Sequence, residues 1–229
     1  MNRYIIIPTR SWDGPAVKLA KRVASAGLPI IVAPGNPDRS VRHAIRLRKT
    51  RSSFGGWINE AAEHALTISG DARVVALNDD LDIDAASVTR MFDALESADI
   101  VIEPGRGDLH TPSRLTGHLF GFRPDKGLRL PEVDGLALWW WNTDHFYWDA
   151  ITRGFTVEAV DGVYFDHVSV NDNHDGHWHY PDEFAWSVQA DHDWFWSQHH
   201  ALDEAHEGCY LTWWPDALPE GQTHRTEWS

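Results

Sequence analysis

The stretch Val74-Val75-Ala76-Leu77-Asn78-Asp79-Asp80-Leu81-Asp82-Ile83-Asp84 decides how this chain is read. Four apolar residues, the mark of a strand buried on both faces, run straight into a cluster of acidic groups. After Asp84, a good N-cap, the sequence AASVTRMFDALESA sets Val88, Met91, Phe92 and Leu95 on one face of a helix. Open α/β sheets bind ligands in the crevice outside the carboxyl ends of their strands. Hard carboxylate oxygens gathered there suit Mg²⁺ or Mn²⁺ and, through the cation, a diphosphate. The plainer reading is an acidic turn that leads into a helix.

Strand and helix patterns alternate on both sides of this stretch. Tyr4–Ile7 and Leu28–Val32 read as buried strands, and Asp99–Ile102 as a further one. Pro15–Ala26 has helical spacing through Val17, Leu19, Ala20 and Val23, with Gly27 as a stop. Gly55–Leu66 reads as a helix that turns Trp57, Ile58, Ala61, Ala62 and Ala65 inward. The alternation predicts an α/β fold with a mainly parallel sheet flanked by helices. Beyond Gly105 the pattern loosens into shorter strands at Leu119–Phe122, Phe155–Val160 and Val163–His167. With 229 residues and no evident linker, one domain is expected. It divides into a first half (1–105), a second half (106–169) and a His- and Trp-rich C-terminal extension (170–229).

No apolar run reaches the ~18 residues of a membrane span, and MNRYIIIPTR lacks a signal peptide's apolar region. The lone Cys209 excludes an intramolecular disulfide framework and predicts a reducing, cytoplasmic setting. The net charge of −14 hides an asymmetry, because residues 1–54 carry eleven Lys or Arg against Asp13 and Asp38. Six of those cations fall in Arg39–Arg51, namely Arg39, Arg42, Arg46, Arg48, Lys49 and Arg51. They form either a solvated helix face or an approach for phosphates or an anionic acceptor. The acidic remainder argues against a general nucleic-acid surface.

Of thirteen tryptophans, eleven follow residue 138. The consecutive Trp139, Trp140 and Trp141 cannot all face one way in a regular element, so at least one is expected to line a groove. Flat aromatic rings suit the C–H faces of a sugar. His174, His177 and His179 compete as an imidazole cluster, but their spacing and Gly176 favour a polar loop.

The order of these motifs resembles the GT-A-fold glycosyltransferases, closest to the large inverting family 2. IIIPTR stands where such enzymes begin their nucleotide-binding half, and GGWINEAAEHA resembles the family's Gly-then-Asn helix. VVALNDDLDID resembles the metal-binding strand end, with Asn78 where many relatives carry the first aspartate. The segment from His118 to Phe155 resembles the acceptor side, and VDGVYFDHV the late strand whose histidine completes the metal site. The resemblance spans roughly residues 3–168.

It implies a Rossmann-like GT-A sheet and a metal-dependent hexosyltransferase. Such an enzyme moves a sugar from a nucleoside-diphosphate sugar, a UDP-sugar first among them, to a glycan, protein or other hydroxyl acceptor with inversion. Asp80 and His167 are then the ligands of Mn²⁺ or Mg²⁺. Pro8, Thr9, Arg10, Asn36, Asp38, Asn59, Asn78 and Asp79 face the donor nucleotide. Trp140 and Trp141 face the acceptor, and Asp144, where a helix opens, is the general base. The acceptor segment has Asn142-Thr143-Asp144 in place of the commoner Glu-Asp pair. Two other functions remain open. A sugar-nucleotide nucleotidyltransferase shares the sheet and the metal, but PTRSWDGPAVK is a poor version of its Gly-rich loop. A non-catalytic carbohydrate-binding protein would use the tryptophans without the acidic strand end.

Overall fold

A computed structural model gives the fold for residues 2–9, 14–33, 44–47, 51, 53–103, 117–134, 136, 142–167, 190–191, 193–195 and 197–198. Seven strands form the main sheet in the order β3-β2-β1-β4-β7-β6-β8. They are β1 (Arg3–Pro8), β2 (Ile30–Ala33), β3 (Ala44–Arg46), β4 (Arg73–Leu77), β6 (Ile100–Ile102), β7 (Leu119–Phe122) and β8 (Val157–Ala159). All pairings are parallel except those of β7, which runs against both β4 and β6. The mainly parallel sheet is as expected, with one reversed strand whose direction no sequence pattern announced.

Strand alternation divides the core into two layers. Tyr4 and Ile6 of β1 join Val74 and Ala76 of β4 on one face, under Trp57, Ile58, Ala61, Ala62 and Ala65 of α2 (Phe54–Ile68). Phe146, Tyr147 and Ala150 of α4 (Asn142–Thr152) extend that layer. Ile5, Ile7, Val75 and Leu77 face the other way, onto Leu19, Ala20 and Val23 of α1 (Gly14–Val23). Val88, Met91, Phe92 and Leu95 complete that side, from α3 (Ala85–Ala94) and its C-cap. Strands buried on both faces explain the unbroken runs IIIP and VVAL.

The helix ends follow their local chemistry. Ser53 caps α2 by accepting from the Gly56 amide at 3.0 Å, and Asp84 caps α3 by accepting from the Ser87 amide at 2.6 Å. Gly27 ends the first helical segment in the left-handed region at φ 69°.

Two elements differ from the sequence reading. Residues 44–46 lie in the basic run yet form the edge strand β3, so the helix-face reading of that run is corrected there. A second, two-stranded sheet pairs β5 (Leu81–Ile83) antiparallel with β9 (Phe165–His167). The acidic stretch is therefore strand, turn and strand before it becomes helix.

Candidate functional site

The chain passes from β1 outward through β2 to β3, then returns to place β4 on the other side of β1. This reversal makes the carboxyl ends of β1 and β4 a topological switch point, the place where such sheets bind ligands. Pro8 and Thr9 close β1 there, and Asn78, Asp79 and Asp80 follow β4. The Leu81 amide donates to the Asn78 carbonyl at 3.3 Å, so Asp79 and Asp80 are the central residues of a tight turn. The acidic turn of the plainer sequence reading is thus present at Asp79 and Asp80.

Thr9, only 2% exposed, donates from Oγ1 to Oδ2 of Asp79 at 2.5 Å, which ties the two strand ends together. On the far side of the turn, Leu81 lies opposite His167 in the β5–β9 ladder. Directly opposed residues of such a ladder have Cα atoms about 4.5–5.5 Å apart. The backbone of His167 is thus held beside the residue that follows Asp80. Asn78 is bound twice to His118, the residue before β7. Its amide donates to the His118 carbonyl at 2.9 Å, and its Nδ2 stands 3.3 Å from Nδ1 of His118.

Helix α4 begins in the same corner. A Cβ built on Gly117 would lie 3.1 Å from Oγ1 of Thr143, so the chain leading into β7 runs directly against the first turn of α4. Asn142 and Thr143 are both buried, and Asp144 is the third residue of the helix. The segment Asn142–Thr152 confirms the expected helix, which begins two residues before Asp144.

Two carboxylates, hard oxygen donors of the kind Mg²⁺ and Mn²⁺ take, stand at consecutive positions of the turn, and the backbone of His167 lies across the β5–β9 ladder from the residue that follows them. Among the described residues, no three His, Cys, Asp or Glu side chains converge on one point.

Several expectations are corrected or fall outside the described residues. Asn59, expected at the donor, is 1% exposed and fully engaged elsewhere. Its Nδ2 donates to the Leu130 carbonyl at 2.9 Å and to Oε1 of Glu132 at 2.7 Å, while its Oδ1 accepts from the Leu130 amide at 2.9 Å. It clamps α2 to the segment after β7, with both amide hydrogens taken and its oxygen turned to the Leu130 amide. Gly55 faces the same segment, where an added Cβ would be 2.7 Å from the Pro131 carbonyl oxygen. The Gly and Asn of this helix are therefore a packing device. Arg51, counted among the phosphate-seeking cations, pairs instead with Glu132 at 2.7 Å and Glu63 at 2.6 Å. Arg10, Asn36, Asp38, Trp140 and Trp141 lie outside the described residues, as do His174, His177, His179 and Cys209.

Two further polar residues, His118 and Glu103, lie at these strand ends. Glu103 follows β6 and is only 7% exposed at the same edge of the sheet. An acid placed directly after the apolar run Ile100-Val101-Ile102 was the available signal for it. His118 had no local signal, because its importance comes from pairing with Asn78.

One solved structure agrees with this topology. The catalytic domain of Drosophila β1,4-galactosyltransferase 7, in a complex with xylobiose, matches with a TM-score of 0.50 and 15% identity over 72% of this chain and 70% of that one. The chain has a GT-A-type fold. Residues 1–349 of Staphylococcus aureus TarS, in complex with UDP-GlcNAc, align at TM-score 0.49 and 13% identity, covering 84% of this chain and 66% of that one. HddC from Yersinia pseudotuberculosis, complexed with GMP-PN, aligns at TM-score 0.45 and 13% identity, covering 73% and 94%. No protein-family model and no curated protein sequence matches the chain. Within the GT-A frame, the turn at Asn78–Leu81 and the strand ending at His167 stand on either side of one corner of the sheet. No helix among the described residues is long and apolar enough to cross a membrane.

Proposed function

We propose that this protein is a metal-dependent glycosyltransferase. It moves a sugar from a nucleoside-diphosphate sugar, with a UDP-sugar the first choice, to an acceptor hydroxyl with inversion. The observation that carries this reading is the acidic turn Asn78–Leu81 at the β1–β4 switch point, with the first turn of α4 in the same corner. A binding module that stacked sugars on tryptophan would have no use for that turn.

In this reading Asp80 and His167 hold Mn²⁺ or Mg²⁺, and Asp79 stands beside them, oriented by Thr9. Pro8, Thr9 and Asn78 face the nucleotide, as do Arg10, Asn36 and Asp38. The cation, when bound, neutralises charge on the diphosphate leaving group. Asp144 accepts the proton of the acceptor hydroxyl as that oxygen forms its bond to the anomeric carbon. The bond from that carbon to the diphosphate oxygen breaks on the opposite face. Trp140 and Trp141 offer stacking surface to an acceptor glycan, and a protein or small hydroxyl compound can take its place.

A thermal-shift panel of nucleoside diphosphates and nucleotide sugars, with and without Mn²⁺, tests the donor half. A true ligand at a hundredfold excess over its Kd stabilises the native state by about 2.7 kcal/mol. The chemical half is tested with Asp144→Asn, which keeps shape and removes basicity. Donor binding should persist while transfer falls about 10²–10⁴-fold. Proton NMR of the new linkage should show an inverted anomeric centre. Release of pyrophosphate from a nucleoside triphosphate and a sugar phosphate would identify a nucleotidyltransferase instead.

A further inference from the structure

We infer that His118 is a positioning residue that sets which way the carboxamide of Asn78 faces, so that Asn78 presents its oxygen to the ligand of the acidic turn. The inference rests on the proposed reading of that turn as a cation and nucleoside-diphosphate site. It concerns a residue that the sequence resemblance did not single out.

The need for such a residue follows from the chemistry of an amide. A carboxylate at position 78 would offer an oxygen in either orientation. A carboxamide has one oxygen and one nitrogen, and the nitrogen carries only donor hydrogens. Turned the wrong way, Asn78 would point an N–H group at a cation or at a ligand hydroxyl. Some neighbour must choose the orientation.

His118 is built to choose it. Asn78 Nδ2 lies 3.3 Å from His118 Nδ1. The amide nitrogen can only donate, so the imidazole nitrogen accepts, which leaves the ring proton of a neutral imidazole on Nε2. The backbone holds the two side chains in reach. The Asn78 amide donates to the His118 carbonyl at 2.9 Å, one step beyond the Leu77–Leu119 pair that ends the β4–β7 ladder. The two are therefore cross-strand neighbours, whose side chains meet in an antiparallel pair. Among the described residues the Asn78 Oδ1 accepts no hydrogen bond, although Asn78 is only partly buried and adjoins Asp79. The nitrogen end is occupied and the oxygen end is open.

The consequence is a coupling between positions 118 and 78, read by calorimetric titration of UDP, GDP, CDP and TDP in the presence of Mn²⁺. His118→Phe keeps a ring and removes the acceptor, and should weaken the best-binding nucleotide at least fivefold. His118→Gln, whose side-chain carbonyl can accept the same bond, should return to within twofold of wild type. In an Asn78→Asp background, where both ends are oxygen, His118→Phe should change the affinity less than twofold. Equal losses for the Phe and Gln variants, or the same loss in both backgrounds, would overturn the inference and leave the site reading intact. A wild-type protein that binds none of the four nucleotides with Mn²⁺ would overturn both. Circular-dichroism melts of each variant separate lost folding from lost binding.

Discussion

Thr9 donates from its hydroxyl to Oδ2 of Asp79 and so bridges the gap where the sheet changes direction. The contact continues the β1–β4 register, in which Ile6 stands opposite Ala76, by three residues beyond the ladder. One threonine and one aspartate therefore join the two strand ends at the switch point. The bond holds one oxygen of Asp79, which limits how that carboxylate can turn toward a ligand. Asp80, the other central residue of the turn, is on the side where β5 leads to His167.

The clamp at Asn59 makes a prediction about stability rather than binding. Asn59→Ala removes three hydrogen bonds and strands the buried amide and carbonyl of Leu130. Each buried group left unsatisfied costs about 1–3 kcal/mol, so with two such groups a total loss of about 2–6 kcal/mol is expected in chemical denaturation. Nucleotide affinity of the folded fraction should be unchanged. An Asn59→Ala protein that is fully stable but cannot bind nucleotide would return Asn59 to the donor site.

Gly121 makes a second prediction about packing. It sits in β7 between β4 and β6, and a Cβ there would come within 2.8 Å of Val101 Cγ2 and 3.0 Å of Leu95 Cδ1. Gly121→Ala should cost about 1–3 kcal/mol, the usual penalty for forcing atoms into a close-packed core. A melting temperature equal to wild type would mean that Leu95 and the end of α3 can retreat freely from the sheet.

Much of this fold was legible because burial leaves a periodic trace. Tyr4 and Ile6 against Ile5 and Ile7 mark a strand with two buried faces, and Val88, Met91, Phe92 and Leu95 mark one helix face. What escaped depends on partners far along the chain. β3 is an edge strand whose only large apolar residue is Ile45, so the surrounding arginines concealed it. β5 is three residues long and exists because Phe165–His167 pairs with it. Asn59 looks like a site residue until Leu130, 71 positions away, is seen to take both ends of its amide. The acidic turn itself was legible, since both its readings required the same residues. The reversed direction of β7 was not, because hydrophobic pattern carries no strand polarity.

His145 gives the stability of the second half a pH dependence. Its ring stands 4.9 Å from that of Trp194, tilted by 54°. Burial holds its pKa below the ordinary value of 6.5, against the opposing pull of Asp149. The unfolded chain therefore binds the proton more readily than the folded one. Stability from this site is complete above pH ~6.5 and is lost as pH falls from there through the folded-state pKa. Melting temperatures taken from pH 7.5 to 5 should fall more steeply for wild type than for His145→Gln. Parallel curves would show that the imidazole titrates as freely folded as unfolded.

The central claim is that the acidic turn after β4 holds a divalent cation and, through it, a nucleoside diphosphate. Asp80→Ala tests it most directly, by isothermal titration of UDP and the other nucleoside diphosphates with and without Mn²⁺. The account predicts that wild type binds at least one of them in a Mn²⁺-dependent manner. Asp80→Ala should lose that binding while its circular-dichroism spectrum and melting transition stay close to wild type. A folded Asp80→Ala protein that binds nucleotide and Mn²⁺ as tightly as wild type would contradict the claim.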